Sequence, residues 1–363
     1  MKENDIKHSA ADLSGKTKED VFNFEKEVKG PDFDGCFTIE MLIKGYENMG
    51  IQGSCIYSAI KEIREMRKNN ARIFLGFTSN MISCGIREII MYLAKNKHVD
   101  VMCTTAGGIE EDIIKCMAPT YLASGFVQND GLLRECGWNR IGNMVINNEN
   151  YFLFEDFMRS FLDELVLGSN KYDEYNKKFN YINLSSEHSK LKNEENGNKI
   201  ILTPSKLIYF LGKKINNQSS VLYWAYKNGI IVYSHAIVDG SFGDMVSFYN
   251  HREKLVIDIS EDIKCLNWEP FGNEETKRKN GAIILGGGLI KHMILNANLF
   301  NNGLDYCVLI NNGVEYEASD AGAALSEGMS WGKVKNGKGI KVYGEASIIF
   351  PLVAYGGFKM SWN

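Results

Sequence analysis

Between residues 72 and 350 the chain repeats one unit: a short apolar run, a turn of glycines and small hydroxylated residues, then a stretch with helical spacing. Arg72-Ile73-Phe74-Leu75-Gly76-Phe77 leads through Thr78-Ser79-Asn80 into a helical pattern from Ile82 to Ala94. Val99-Asp100-Val101-Met102-Cys103 leads through Thr104-Thr105-Ala106-Gly107-Gly108 into Ile109-Glu110-Glu111-Asp112-Ile113-Ile114. Ala282-Ile283-Ile284-Leu285 leads through Gly286-Gly287-Gly288 into Leu289 to Phe300. Two further runs, Tyr306 to Ile310 and Ile340 to Tyr343, enter Asn311-Asn312-Gly313 and Gly344-Glu345-Ala346-Ser347. Near-continuous apolar strands alternating with helices predict an α/β fold, a doubly wound, mostly parallel Rossmann-like sheet with helices on both faces. In such sheets ligands bind beyond the carboxyl ends of the strands, where every one of these turns falls.

Two segments lack the pattern. Residues 1–30 are polar apart from Val21-Phe22-Asn23-Phe24 and predict a mobile or helical N-terminal arm; residues 168–198, rich in Asn, Lys, Glu and Ser, predict a surface insertion. The remainder, 31–363, reads as a single α/β domain.

Composition narrows the function classes. With 44% hydrophobic residues the chain can bury a large core, and a net charge of -4 offers no basic field for nucleic acid. No apolar run reaches the ~20 residues that span a bilayer, and the first residues lack the apolar core of a signal peptide, so a cytoplasmic protein is expected. The eight cysteines are scattered singly, mostly in apolar runs, which predicts reduced, buried thiols. The six histidines show no metal-ligand spacing, and no metal is expected.

The turns suit a dinucleotide, because backbone N–H groups at helix starts can approach a pyrophosphate. None is diagnostic alone, since a G-x-G-x-x-G fingerprint is absent. Acids cluster beside the same turns: Glu110 and Glu111, Asp239 and Asp244, Glu317 and Asp320, and Glu327. Any one of them reads equally as a helix cap or a solvated turn. Together, near Trp331, they would line a negative slot for an elongated polycation whose methylenes lie on the indole. His292, Asn296 and Leu299 share one helix face, which makes His292 a candidate acid or base. Lys333, two residues after Trp331, is a candidate nucleophile if its amine is kept dry and neutral; alone it would read as a snorkelling surface lysine.

These segments resemble the deoxyhypusine synthase family. The similarity runs from Val28-Lys29-Gly30 to Phe350-Pro351-Leu352 and rests on Phe74 to Asn80, Thr104 to Asp112, Lys115 to Tyr121, Asp239 to Asp244, Gly286 to Leu299 and Ser330 to Lys333. The resemblance implies an NAD-dependent enzyme that passes the 4-aminobutyl group of spermidine through an imine on Lys333 to one lysine of a translation initiation factor, forming deoxyhypusine and releasing 1,3-diaminopropane. It further implies that Glu110, Glu111, Asp244, His292, Asn296, Ala318, Ser319, Asp320, Glu327 and Trp331 bind spermidine. NAD would be bound by Ser79, Asn80, Ser83, Thr105, Ala106, Gly107, Glu111, Asp239, Gly287, Asn312, Gly313, Glu345 and Ala346. A homotetramer, or a hetero-oligomer with a paralogue, is implied too. This chain departs from the family pattern at Asn312-Gly313, where Thr-Ala is usual, at Glu317 and Glu345 in place of Asp, at Ala318 in place of Gly and at Ala321 in place of Ser. Two rival functions share the same residues: a homospermidine synthase that delivers the group to putrescine, and a catalytically weak regulatory paralogue.

Overall fold

A computed structural model describes residues 26–126, 128–167, 199–272, 277–335 and 339–361. The expected arm up to residue 25 and the expected insertion at 168–198 lie outside these residues, and residues 26–30 enter no helix or strand. The strands among the described residues are β1 (Arg72–Phe77), β2 (Val101–Thr104), β3 (Tyr121–Leu122), β4 (Trp138–Ile141), β5 (Met144–Asn147), β6 (Ile200–Leu202), β7 (Ile231–Tyr233), β8 (Leu255–Ile257), β9 (Asn280–Leu285), β10 (Tyr306–Asn311) and β11 (Ile340–Tyr343).

Six of them form the main sheet in the order β11-β10-β9-β1-β2-β7, with each neighbouring pair parallel. Counted along the chain this is the 3-2-1-4-5-6 order of dinucleotide-binding sheets. The chain winds outward from β1 through β2 to β7, then returns to β9 beside β1 and winds the other way. The crevice at that reversal opens between the carboxyl ends of β1 and β9.

Side chains of period two explain why the strands read as unbroken apolar runs. Ile73, Leu75 and Phe77, with Ile283, Leu285, Val308 and Ile310, enter one apolar layer that also receives the helices Ile51–Lys68, Ile86–Lys95, Ala106–Met117 and Ala346–Ala354. Phe74, Ala282, Ile284, Cys307 and Leu309 enter the other, against the helix Gly288–Leu299.

Several local expectations change. The helix foreseen from Ile82 to Ala94 is two helices, Ser79–Ser83 and Ile86–Lys95, because Cys84 is extended at ψ -176° before Gly85. The Nζ of Lys115 holds that break by donating to the carbonyls of Ile82, Ser83 and Cys84 at 3.0, 3.1 and 3.3 Å. The hairpin β4–β5 and the strand pair β6–β8 were not foreseen from the pattern, nor was β7. All eight cysteines are free, but only Cys103 and Cys307 are buried, so the expectation of buried thiols fails for Cys36 and Cys136, which are exposed. No helix among the described residues is long and apolar enough to cross a membrane.

Candidate active site

The residues expected at a cofactor all lie in the turns at the carboxyl edge of the main sheet or in the helices that start there: Ser79, Asn80 and Ser83 follow β1, Thr105, Ala106, Gly107 and Glu111 follow β2, and Asp239 follows β7. Gly287 follows β9, Asn312 and Gly313 follow β10, and Glu345 and Ala346 follow β11. The helices Ala106–Met117 and Gly288–Leu299 begin here with no side-chain cap; the Gly107 and Gly288 N–H groups donate to the carbonyls of Asp239 and Asp320, and the other first-turn N–H groups face the edge where an anion would bind. At Gly107 a Cβ would stand 2.7 Å from Ser79 Cβ, so the backbone there is bare by necessity. Glu111 Oε2 and the hydroxyls of Thr104 and Thr105 are buried without a partner. Buried acceptors beside open helix starts are the groups that ribose hydroxyls and a pyrophosphate would satisfy, so these residues fit a dinucleotide. Glu345 is partly committed: its carboxylate caps the following helix by accepting from the Ile348 N–H at 3.2 Å. Among the described residues, no cluster of three or more His, Cys, Asp or Glu could hold a metal.

The acids separate into two groups. Glu110, only 6% exposed, accepts from the Phe242 N–H at 2.9 Å, and the Gly107 N–H donates to Asp239 O at 2.6 Å. The loop can come this close because Gly240, at φ 135°, has no side chain; a Cβ there would lie 2.8 Å from Glu110 Oε2. Burial pushes the Glu110 carboxyl up to about 7, with Glu111 and Asp239 adding repulsion. Burial also raises Glu111. Asp244 lies exposed in the next helix, Ser241–Ser247.

The second group forms around the helix Gly288–Leu299. Its residues are buried except Gly288, Leu289, His292, Asn296 and Leu299, so one stripe remains open and carries the expected polar pair. His292 is in the second turn, and its Nδ1 lies 3.2 Å from Asp320 Oδ1. Glu327 Oε1 accepts from the Ser319 N–H at 3.0 Å. Glu327 and Trp331 are one turn apart at the helix Leu325–Ser330 and its cap. Lys333 is half-buried, with Nζ 5.8 Å from the centre of the Trp331 ring. Trp331 itself is 65% exposed, so within one chain the indole does not enclose the amine. Among the described residues no hydrogen bond joins this group to Glu110, Glu111 or Asp244.

Some structural partners of the site were not foreseen. Lys291 and Lys341 bond to carbonyls of the loop that carries Ser319 and Asp320, and Asn311 Nδ2 donates to Gly286 O and Ala321 O at 3.3 and 3.2 Å. The available signal was a lone cation inside an apolar element, as in Leu289-Ile290-Lys291-His292-Met293-Ile294 and Ile340-Lys341-Val342.

A family model described as deoxyhypusine synthase matches residues 41–356. The chain belongs to the deoxyhypusine synthase family. It is 45% identical over 350 residues to the deoxyhypusine synthase of Encephalitozoon cuniculi, covering 96% of this chain and 95% of that one. The deoxyhypusine synthase of Musa acuminata is 42% identical, over 93% of this chain and 89% of the relative. Among solved structures, a protein of Entamoeba histolytica assigned to the same family superposes with a TM-score of 0.60 at 28% identity, covering 91% of this chain and 96% of that one. This deoxyhypusine synthase-family chain is therefore an enzyme, a transferase.

Proposed function

We propose that this enzyme transfers the 4-aminobutyl group of spermidine, with NAD as cofactor, to one lysine of a translation initiation factor, forming deoxyhypusine in the cytoplasm. The observation that carries the proposal is the single open stripe of the helix Gly288–Leu299, with His292 against Asp320 and, through Ser319, Glu327 leading to Trp331 and Lys333. Carboxylates around an indole suit an amine-ended aliphatic chain.

NAD, when bound, supplies the hydride acceptor and later the donor; Thr105, Gly107, Glu111 and Gly287 are the residues that would hold it, with Ser79, Asn80, Ser83, Ala106, Asp239, Asn312, Gly313, Glu345 and Ala346 around them. His292, oriented by Asp320, takes the proton from the spermidine nitrogen. The Lys333 amine adds to the resulting imine carbon; the carbon–nitrogen bond to the propylamine portion breaks, and 1,3-diaminopropane leaves with that nitrogen. The four-carbon unit remains as an imine on Lys333 until the acceptor lysine displaces it. Asp244, Asp320 and Glu327 hold the terminal amines, with Glu111, Asn296, Ala318 and Ser319 lining the slot. Trp331 packs the methylenes. A homotetramer, as the family resemblance implies, would cover the open indole and dry the amine.

The test is incubation of the purified chain with NAD and labelled spermidine, alone, with acceptor protein, or with putrescine. Release of 1,3-diaminopropane with label on the acceptor protein is the expected result. Label in homospermidine would assign the rival transferase, and no release in any arm would leave the regulatory paralogue. Borohydride added during turnover should leave a butylamine adduct on Lys333 by mass spectrometry; an adduct on another lysine would overturn the nucleophile.

A further inference from the structure

The loop between β10 and the helix Leu325–Ser330 carries Glu317, Ala318, Ser319 and Asp320 in a backbone that few residues adopt. Ala318 has φ 54° and Ser319 φ 32°. Five consecutive carbonyls of this loop, 319 to 323, all accept hydrogen bonds. Lys291 Nζ donates to the oxygens of Ser319, Ala321 and Ala323 at 2.8, 3.3 and 3.4 Å. Lys341 Nζ donates to Gly313 O at 3.0 Å and to Gly322 O. The Gly288 N–H takes Asp320 O at 2.6 Å.

Two ammonium groups thus meet one short loop, and Lys291 is only 3% exposed. Burying a lysine is costly unless several oxygens replace its water. Burial lowers the Lys291 pKa, and the nearby Lys341 charge lowers it further. Lys291 adjoins His292 in sequence but points into the protein, whereas His292 is half open, so one helix both anchors the loop and meets its acid.

We propose that Lys291 and Lys341 are positioning residues, drawing the loop's carbonyls inward so that the strained turn at Ala318–Ser319 is held and Asp320 and the Ser319 N–H face His292 and Glu327. The two lysines divide the loop. Lys291 governs its polyamine end, residues 319–323, and Lys341 joins that end to Gly313 on the expected cofactor side. The inference rests on the proposed spermidine transfer for its kinetic consequence, not for its structural one.

The test uses full-length Lys291→Met and Lys341→Met, which keep chain length and remove the ammonium. Lys291→Met should raise the KM for spermidine about tenfold or more, as loss of charge-assisted hydrogen bonds implies, with NAD affinity within about threefold of wild type. Lys341→Met should weaken NAD and spermidine together. In both, amide hydrogen exchange across residues 313–323 should accelerate while exchange in β1 and β9 is unchanged. If Lys291→Met lowers both affinities in parallel with a general rise in exchange, the residue is only part of the core and the positioning role falls; wild-type exchange at 313–323 in both variants would also overturn it. Should Lys291→Met fail to fold, Lys341→Met, at a half-buried site, decides through the same exchange readout. A wild-type chain that releases no 1,3-diaminopropane refutes the spermidine reaction, while exchange at 313–323 still judges the clamp.

Discussion

Lys333 differs from the other lysines around the site in what its ammonium touches. Lys115, Lys291 and Lys341 bond to backbone carbonyls, and Lys335 pairs with Asp305 at 2.8 Å, whereas among the described residues Lys333 Nζ makes no hydrogen bond and stands over Trp331. An amine that must attack carbon cannot be tied to acceptors. Lys333→Arg should therefore keep the fold and NAD binding yet abolish transfer, since a guanidinium stays protonated at neutral pH; near-normal diaminopropane release would sink the assignment. The family departures also act residue by residue. Ala318, with φ 54° and ψ -177°, occupies backbone space that costs a residue with a Cβ ~1–3 kcal/mol. Ala318→Gly should raise stability by about 1 kcal/mol in denaturant unfolding, the strain relief exceeding the added chain entropy; a loss would show that the turn is unstrained. Gly313 has the opposite logic. Its absent Cβ would sit 2.8 Å from the Cα of Gly322, so Gly313→Ala must shift backbone at the expected cofactor turn, costing about 1–3 kcal/mol.

At the scale of elements, Asp112 fixes how three helices meet. Its Oδ1 accepts from Arg87 Nε at 2.8 Å and the Val221 N–H at 3.0 Å; its Oδ2 accepts from Ser220 Oγ at 2.6 Å and the Leu222 N–H at 3.1 Å. The carboxylate thereby caps the helix Val221–Asn228 from outside and sets the roll of Ala106–Met117, hence where Glu110 and Glu111 point. Asp112→Ala would strand the buried Arg87 charge and leave the Val221 and Leu222 N–H groups without their acceptor, a loss of about 3–5 kcal/mol. Denaturant unfolding within ~1 kcal/mol of wild type would remove Asp112 from this role. The same logic closes the carboxyl-terminal end, where Arg64 and Arg67 donate to the carbonyls of Gly356 and Gly357 at 2.9 and 2.7 Å.

For the whole molecule, buried groups link folding to pH, Glu110, Asp262 and His235 among them. Burial raises Glu110 from 4.5 to about 7 and Asp262 from 3.8 to about 6, and lowers His235 from 6.5 to about 4. The folded chain holds the two carboxyl protons more tightly than the unfolded chain does. Their contribution is fully present below the ordinary carboxyl values and is lost as pH rises through about 6 for Asp262 and about 7 for Glu110. His235 works in reverse: its contribution is present above 6.5 and lost as pH falls toward about 4. Glu110→Gln should therefore flatten the decline in stability on the alkaline side of pH 7, where the titrations of Asp262 and of the unfolded-state His235 are nearly complete. Equal pH slopes for wild type and variant in denaturant titrations would show that Glu110 does not titrate there.

The strands of the main sheet were largely legible because burial on both faces makes β1, β9 and β10 near-continuous apolar runs apart from Arg72, Asn280 and Asn311 at their ends, a signal independent of their partners. The hairpin β4–β5 carried a readable sign as well, the Gly142-Asn143 pair with Gly142 at φ 61°, but β7, with three residues, offered too short a run. His292 and Asn296 were legible as one helix face, and the helix proves to be open only along that stripe. Sequence by itself determined the fold class and the edge at which the turns gather, because strand burial and turn chemistry are local properties. The tertiary structure alone decided that Glu110 lies beneath the start of the helix Ser241–Ser247, that Lys291 turns inward while His292 turns out, and that Trp331 stays open in one chain. Each depends on which distant backbone groups arrive within hydrogen-bond reach, and spacing along the chain carries no information about that.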